Sequence, residues 1–324
     1  MRRGPLRGPV LIVRGRGRPG APLVLVGAFA LVVVMTAVGG CRAAAESANV
    51  NPDAIPVVAT TTILADLVRQ VGGDRVRVES LVPKGGEVHT FDPKPSDIRR
   101  VTEARLVFRN GLGLDDWLGD LVEDAGTSAS VVALAEDLAD VEYLGGDEPG
   151  EATNPHLWMN VEYASRYAER IADELTALDP PGAATYAANL AAYRERLTAL
   201  DDEARTRIGA IPAADRTVVA FHDALAYFAA AYGLTIDGTV VDSPGQEPSA
   251  RDVALLASRI KDRRIRAIFG EAQFNPVVVE ILANETGATV VTDLYTDSVG
   301  DAPLDSYESV MRWNVDRVVE ALGR

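Results

Sequence analysis

His89, His156 and His222 are the only histidines among 324 residues, and they stand 67 and 66 positions apart. Neutral imidazole is the commonest nitrogen ligand for a transition metal, although a single histidine is more often a capping or core residue. All three here fall between a strand-like run and a helix-like one: His89 in EVHTFDPKPSD (87–97), His156 in NPHLW (154–158), and His222 directly after TVVAF (217–221). Asp293 and Asp297 follow a further strand-like run that ends at Thr292. Three imidazoles and one carboxylate would close a tetrahedral shell around Zn²⁺. No HExxH pair offers a local helical site, so a folded crevice must assemble one. Other chemistries lack their signatures, since there is no GxSxG elbow and no GxxxxGK phosphate loop.

Each of these residues needs an element to place it. The chain alternates between strand-like and helix-like runs: a strand over 57–60, a helix over 63–71 closed by Gly72 and Gly73, and a strand over 76–82. Ser96 is predicted to cap a helix over 97–104, ahead of a strand over 106–108 and a turn at Asn110 and Gly111. Residues 124–155 contain no Lys or Arg and crowd their acids into the second half, which predicts a solvated acidic loop. Asn160 is placed to cap a helix to about residue 175. After Asp179, Pro180 and Pro181, residues 183–208 are rich in Ala, Leu, Arg and Glu with no proline, predicting a helix roughly 40 Å long. A single domain seldom needs a helix of that length, so it reads as a strut between two lobes. The alternation then resumes, with strands over 217–221, 234–241, 265–269 and 288–292. Helices lie over 223–232, from Ser249, over 276–287 and over 307–322. The pattern predicts two α/β lobes with parallel sheets. In such sheets ligands bind at the carboxyl ends of strands, where His89, His222 and the two aspartates are placed.

Composition bounds the rest. With 47% hydrophobic and 24% charged residues the chain is globular. Six arginines precede Ala21, and residues 21–38 form an uncharged apolar run, the pattern of an export leader. That run is also long enough to span a bilayer as an uncleaved anchor. It ends in VGGC (38–41), two small residues before the single cysteine, which reads as a lipobox: cleavage behind Gly40 and a diacylglycerol thioether on Cys41. Two acyl chains suffice for stable anchoring. With Cys41 consumed, disulfides and cysteine ligands are excluded, and any metal site must use His, Asp or Glu. Beyond the leader's six arginines, 26 basic residues face 47 acidic ones, a net charge of −21 that argues against nucleic acid as a partner.

Six stretches in order resemble the zinc/manganese (cluster A) solute-binding lipoproteins of bacterial metal ABC transporters. They are VVATTTIL (57–64), HTFDPKPSD (89–97), NPHLWMN (154–160), FHDALAYFAAAYGL (221–234), FGEAQF (269–274) and YTDS (295–298), and the lipobox accompanies them. The likeness runs from Ile55 to Arg324. It implies two Rossmann-like α/β lobes joined by one long linker helix, with the metal in the interlobe crevice. The expected layout is a leader over 1–40, the lipidated cysteine and a flexible tether over 41–54, a first lobe over 55–180, the linker helix over 181–212 and a second lobe over 213–324.

The resemblance implies metal ligands at His89, His156, His222 and Asp297, with Asp293 as the local competitor for the fourth place. Glu271 stands where relatives carry a glutamate near the site, either as an alternative ligand or as a hydrogen-bonding neighbour. Trp158 and Phe91 are placed to wall the site. Members suited to manganese tend to carry a carboxylate at the third position, here His222, so the set favours Zn²⁺ with Mn²⁺ as the alternative. Zinc-scavenging relatives often have a His-rich loop between the first two histidines; in this chain that region is acidic and has none. The resemblance further implies a monomeric, non-enzymatic receptor, anchored through Cys41 on the outer face of the cytoplasmic membrane. It would serve a membrane permease with its cytoplasmic ATPase. A secreted zinc hydrolase and a surface adhesin are the competing classes.

Overall fold

The computed structural model describes residues 51–145 and 152–323. The expected leader, Cys41 and most of the tether lie outside the described residues, as does part of the acidic stretch.

The first lobe opens with β1 (Ile55–Ala59), α1 (Thr62–Gly72) and β2 (Val76–Ser80), a parallel unit in register from Ile55 beside Val76 to Ala59 beside Ser80. Thr61 starts α1 by accepting a hydrogen bond from the Leu64 amide, which satisfies one of the orphan donors of the first turn. The lobe continues with α2 (Pro95–Glu103), β3 (Leu106–Arg109), α3 (Leu118–Ala125), β4 (Ser130–Ala133) and α4 (Val161–Leu178). Its strands lie in the order β2-β1-β3-β4, all parallel. Val57, Val58, Val107 and Phe108 are buried, as expected of central strands covered on both faces.

The second lobe is built the same way. It comprises β5 (Thr217–Ala220), α6 (Ala226–Tyr232), β6 (Thr235–Thr239), α7 (Ala250–Arg263), β7 (Ala267–Glu271), α8 (Val277–Thr286), β8 (Thr289–Leu294) and α9 (Tyr307–Leu322), and its strand order is β6-β5-β7-β8. In each sheet the first strand has the second on one side and the third on the other. Connections therefore diverge at the strands' carboxyl ends and leave a crevice there.

Between the lobes runs α5 (Ala183–Gly209), 27 residues and roughly 40 Å long. Tyr186, Tyr193, Leu197, Leu200, Ala204 and Ile208 are its buried positions, recurring at three, four and seven residues to make one stripe. That stripe packs on α1 and α4 of the first lobe and on α6 and α9 of the second. The largest hydrophobic cluster therefore runs unbroken from Val57 and Leu64 through Tyr193 and Leu200 to Val218 and Leu322. A close-packed core resists shear, so the lobes meet across a stiff base and face each other at their loops.

Three segments differ from the sequence expectation. Helix α2 starts at Pro95 with Lys94 in the capping position, so Ser96 sits within the first turn. Proline fits that turn because its missing N–H is not needed there, and the Asp97 carboxylate accepts from the Lys94 amide at 2.8 Å to close the end. The acidic stretch is not one loop: it holds the end of α3 and all of β4, and Glu136 pairs with Arg109 at 3.0 Å. Finally, β8 extends two residues past Thr292, so Asp293 lies inside a strand rather than on the loop after it.

Candidate metal centre

The carboxyl ends of three strands and the approach to α4 deliver the four principal side chains. His89 lies on the loop from β2 to α2, and His156 on the long connection from β4 to α4. His222 follows β5 by two residues, and Asp297 follows β8 by three. Each lobe thus contributes two. Among the described residues one group of His, Asp or Glu could hold a metal ion, and it is these four, with one ligand atom from each inside 4.8 Å of all the others. The Nε2 atom of His156 is 3.3 Å from Nε2 of both His89 and His222. Asp297 approaches at 3.7 Å from His156 Nε2 and 4.0 Å from those of His89 and His222. The cluster is sealed at its base, where the Asp297 side chain has 0% exposure, and opens beside His89 at 20%.

Asp297 Oδ1 is buried without a hydrogen-bond partner. A buried carboxylate oxygen left in that condition is costly and uncommon; here it lies 3.7 Å from His156 Nε2, while Oδ2 of the same carboxylate lies 4.0 Å from the Nε2 atoms of His89 and His222. Burial also raises the carboxyl's pKa, with the charges of Glu271 and Glu87 adding to the effect and His222 opposing it. His89 is lowered to about 4, by burial first and then by the charge on His222. His156 is lowered well below its ordinary value by the same causes, with His89 contributing. His222 goes the other way: burial opposes its charge, but the charge and hydrogen bond of Glu271, then Asp297 and Glu87, carry it up to about 9.

Behind these side chains stands a shell of polar partners. Glu271, the last residue of β7, accepts from His222 Nδ1 at 2.7 Å. Its other oxygen accepts from Thr296 Oγ1 and, at 3.0 Å, from Gln273 Nε2. Gln273 Nε2 also lies 3.2 Å from Asp297 Oδ2. Glu271 is therefore engaged as a hydrogen-bonding neighbour, outside the group of four. A carboxylate on the far nitrogen of a ligating histidine fixes its tautomer and raises its basicity. Glu271→Gln is expected to weaken metal binding about 10- to 100-fold, measured by competition against a chelating fluorophore. An unchanged affinity would confine Glu271 to a packing role. Glu87 Oε1 accepts from the His89 amide at 2.8 Å and steadies that loop.

The aromatic expectations separate. Trp158 lies 5.2 Å from the His156 ring and donates from Nε1 to the Thr296 carbonyl at 2.7 Å, bracing the Asp297 loop from the opposite lobe. Phe91 packs on Trp117 at 4.8 Å instead, whereas Phe274, not singled out by sequence, lies 5.7 Å from the His222 ring. Asp293 lies outside the group of four, and its backbone carbonyl accepts from Trp313 Nε1 at 2.8 Å. Gln273, Thr296 and Asn154 also escaped sequence reasoning as site residues, although each lies inside a stretch that carried the resemblance.

A crevice between two parallel-sheet lobes, with two candidate ligands from each and a rigid helix behind, defines a two-lobed α/β metal-binding receptor. The chain belongs to the family described as zinc-uptake complex component A, periplasmic, whose model matches residues 57–321. It is 30% identical over 302 residues to the manganese ABC transporter substrate-binding lipoprotein ScaA of Streptococcus gordonii, covering 91% of this chain and 97% of that one. It is also 30% identical over 308 residues to the iron ABC transporter substrate-binding lipoprotein MtsA of Streptococcus pyogenes, covering 93% and 98%. Among solved structures, the periplasmic zinc-binding protein TroA of Treponema pallidum superposes with a TM-score of 0.77 at 29% identity, covering 83% of this chain and all of that one.

Proposed function

We propose that this protein captures Zn²⁺ outside the cytoplasmic membrane and hands it to the permease of a metal-importing ABC transporter, with His89, His156, His222 and Asp297 as the ligands. The observation that carries this reading is the convergence of four ligand atoms within 4.8 Å, from loops of both lobes, on a buried carboxylate one of whose oxygens has no hydrogen-bond partner. Neutral imidazoles with one carboxylate suit zinc. Around metal–ligand bonds of roughly 2.0–2.1 Å a tetrahedron has edges of roughly 3.3 Å. Both nitrogen-to-nitrogen separations at His156 have that length. The relatives named above are called manganese, iron and zinc proteins, so cargo identity in this chain rests on its own ligands.

In this reading no substrate bond is broken. A hydrolytic zinc keeps one position for water, whereas here Asp297 stands at 0% exposure in the fourth place. The protein works as a monomer held by two acyl chains on Cys41. Metal binding strips protons from the cluster, the lobes' loops tighten around the ion, and the loaded receptor docks on the permease, which a cytoplasmic ATPase drives.

The test is metal content and competitive titration of Zn²⁺ against Mn²⁺ on the fragment from Arg42 onward, stripped with chelator and reloaded. One tightly held equivalent of zinc, with manganese displaced, is expected. Retention of manganese under competition would make this a manganese receptor despite His222, and the lack of stoichiometric binding of either would overturn the transport reading.

A further inference from the structure

The side chain of Asn154 spans the gap between the two lobes at the rim of the cluster. Its partners fix which end is which. Oδ1 lies 3.0 Å from the His156 amide, an obligatory donor. Nδ2 lies 2.7 Å from the Asp223 carbonyl and 2.8 Å from Asp223 Oδ2, both acceptors. The same Oδ1 is 2.9 Å from His156 Nδ1. An amide oxygen can only accept, so Nδ1 must carry the imidazole proton, and the lone pair is left on Nε2, the atom that faces His89 and His222.

The other end of the amide acts on the opposite lobe. Asp223 is the chain neighbour of His222, so the bonds from Nδ2 tie the loop of one candidate ligand to the loop of another. Asn154 is itself fixed through its backbone, donating to the Leu144 carbonyl at 2.8 Å and accepting from Tyr227 Oη at 3.0 Å. An aspartate at this position would accept from His156 equally well. It would also set a second carboxylate against that of Asp223, so only the neutral amide serves both ends.

We propose that Asn154 is a positioning residue of the metal centre. It holds His156 in its Nδ1–H tautomer and, through Asp223, keeps the His156 and His222 loops at the separation that the ligand shell requires. The inference rests on the metal-receptor reading given above.

The experiment compares the purified wild-type protein with N154D, N154A, D223N and the double variant N154D/D223N. Zn²⁺ affinity is measured by chelator competition, and ¹⁵N NMR of the zinc-free protein reads the His156 tautomer. N154D and N154A are expected to lose affinity about 10- to 100-fold, the usual range for a partner behind a ligating histidine. D223N alone supplies the reference affinity against which the double variant is read. Placed in the N154D background, D223N should restore most of the affinity, because the new amide donates back across the same gap. His156 should carry its proton on Nδ1 in wild type and N154D, and lose that preference in N154A.

Wild-type affinity in both single Asn154 variants, a loss in N154D that D223N does not repair, or an unaltered tautomer in N154A would each overturn the proposal. Were the wild-type protein to bind no metal, the receptor reading would fall, and the zinc-free tautomer comparison would still decide the role of Asn154.

Discussion

His222→Ala should weaken Zn²⁺ binding by about 10²- to 10³-fold and destabilise the metal-free protein as well. A closed zinc shell is worth about 10–16 kcal/mol near neutral pH. Shared among four ligands that is about 2.5–4 kcal/mol each, and every 1.4 kcal/mol is a factor of about ten. The second effect comes from Glu271. Its side chain is 1% exposed and faces His222 at 2.7 Å, so removing the imidazole strands a buried carboxylate, at a cost of about 1–3 kcal/mol.

His89→Ala provides the contrast. That ring is 20% exposed at the mouth, so its loss should lower affinity by a similar factor while leaving the metal-free melting temperature close to wild type. Chelator-competition titration and thermal unfolding of stripped protein measure the two quantities. If His222→Ala bound zinc within about threefold of wild type, His222 would be removed from the shell and the functional reading would have to be rebuilt around another donor set.

Sequence placed His89 and His222 on loops because each follows a strand-like run, and strand–helix alternation alone dictates which end of a parallel sheet such loops occupy; His156 was marked only by the helix that follows it and by the resemblance. The resemblance favoured Asp297 over Asp293, and the ladder places the two differently. Pairing of β8 with β7 runs on to Leu294 beside Glu271, so the loop begins at Tyr295 and only Asp297 lies on it. A run of apolar residues marks where a strand is strong, not where its last hydrogen bond falls. The linker helix was readable for a different reason, being long, alanine-rich and free of proline. Strand β4 was not, since four residues flanked by acids give no periodicity to detect.

The supporting polar residues were the least accessible. Asn154 reaches Asp223 across 69 positions, and Gln273 reaches Asp297 across 24. Nothing in a neutral amide's local sequence says what it will bond at that distance. The matching strand order of the two lobes was equally faint in sequence, because it is a property of which strands pair and leaves no shared residue pattern.

Zinc affinity should rise with pH through neutrality and up to about 9, and binding should release protons. In the metal-free cluster His89 is lowered to about 4 and His156 lies well below its usual range. At neutral pH both are already uncharged and have nothing to give up. His222 is raised to about 9, burial opposing and Glu271 prevailing, and burial raises the Asp297 carboxyl. The displaced protons must therefore come from these two groups. The loaded state binds fewer protons than the empty one, so affinity climbs as pH rises and levels off only once His222 is itself deprotonated, above its value of about 9.

Each proton released steepens the climb by about tenfold per pH unit. A release of about one to two protons at pH 7 is expected. Calorimetry in two buffers of different ionisation enthalpy measures that number directly. Glu271→Gln removes the anion that holds the charge on His222, so it should reduce the count while weakening binding. A proton release of zero at pH 7, or an affinity that stays flat from pH 6 to 8, would mean that His222 enters the empty site neutral. The Glu271 pairing would then orient the ring without charging it.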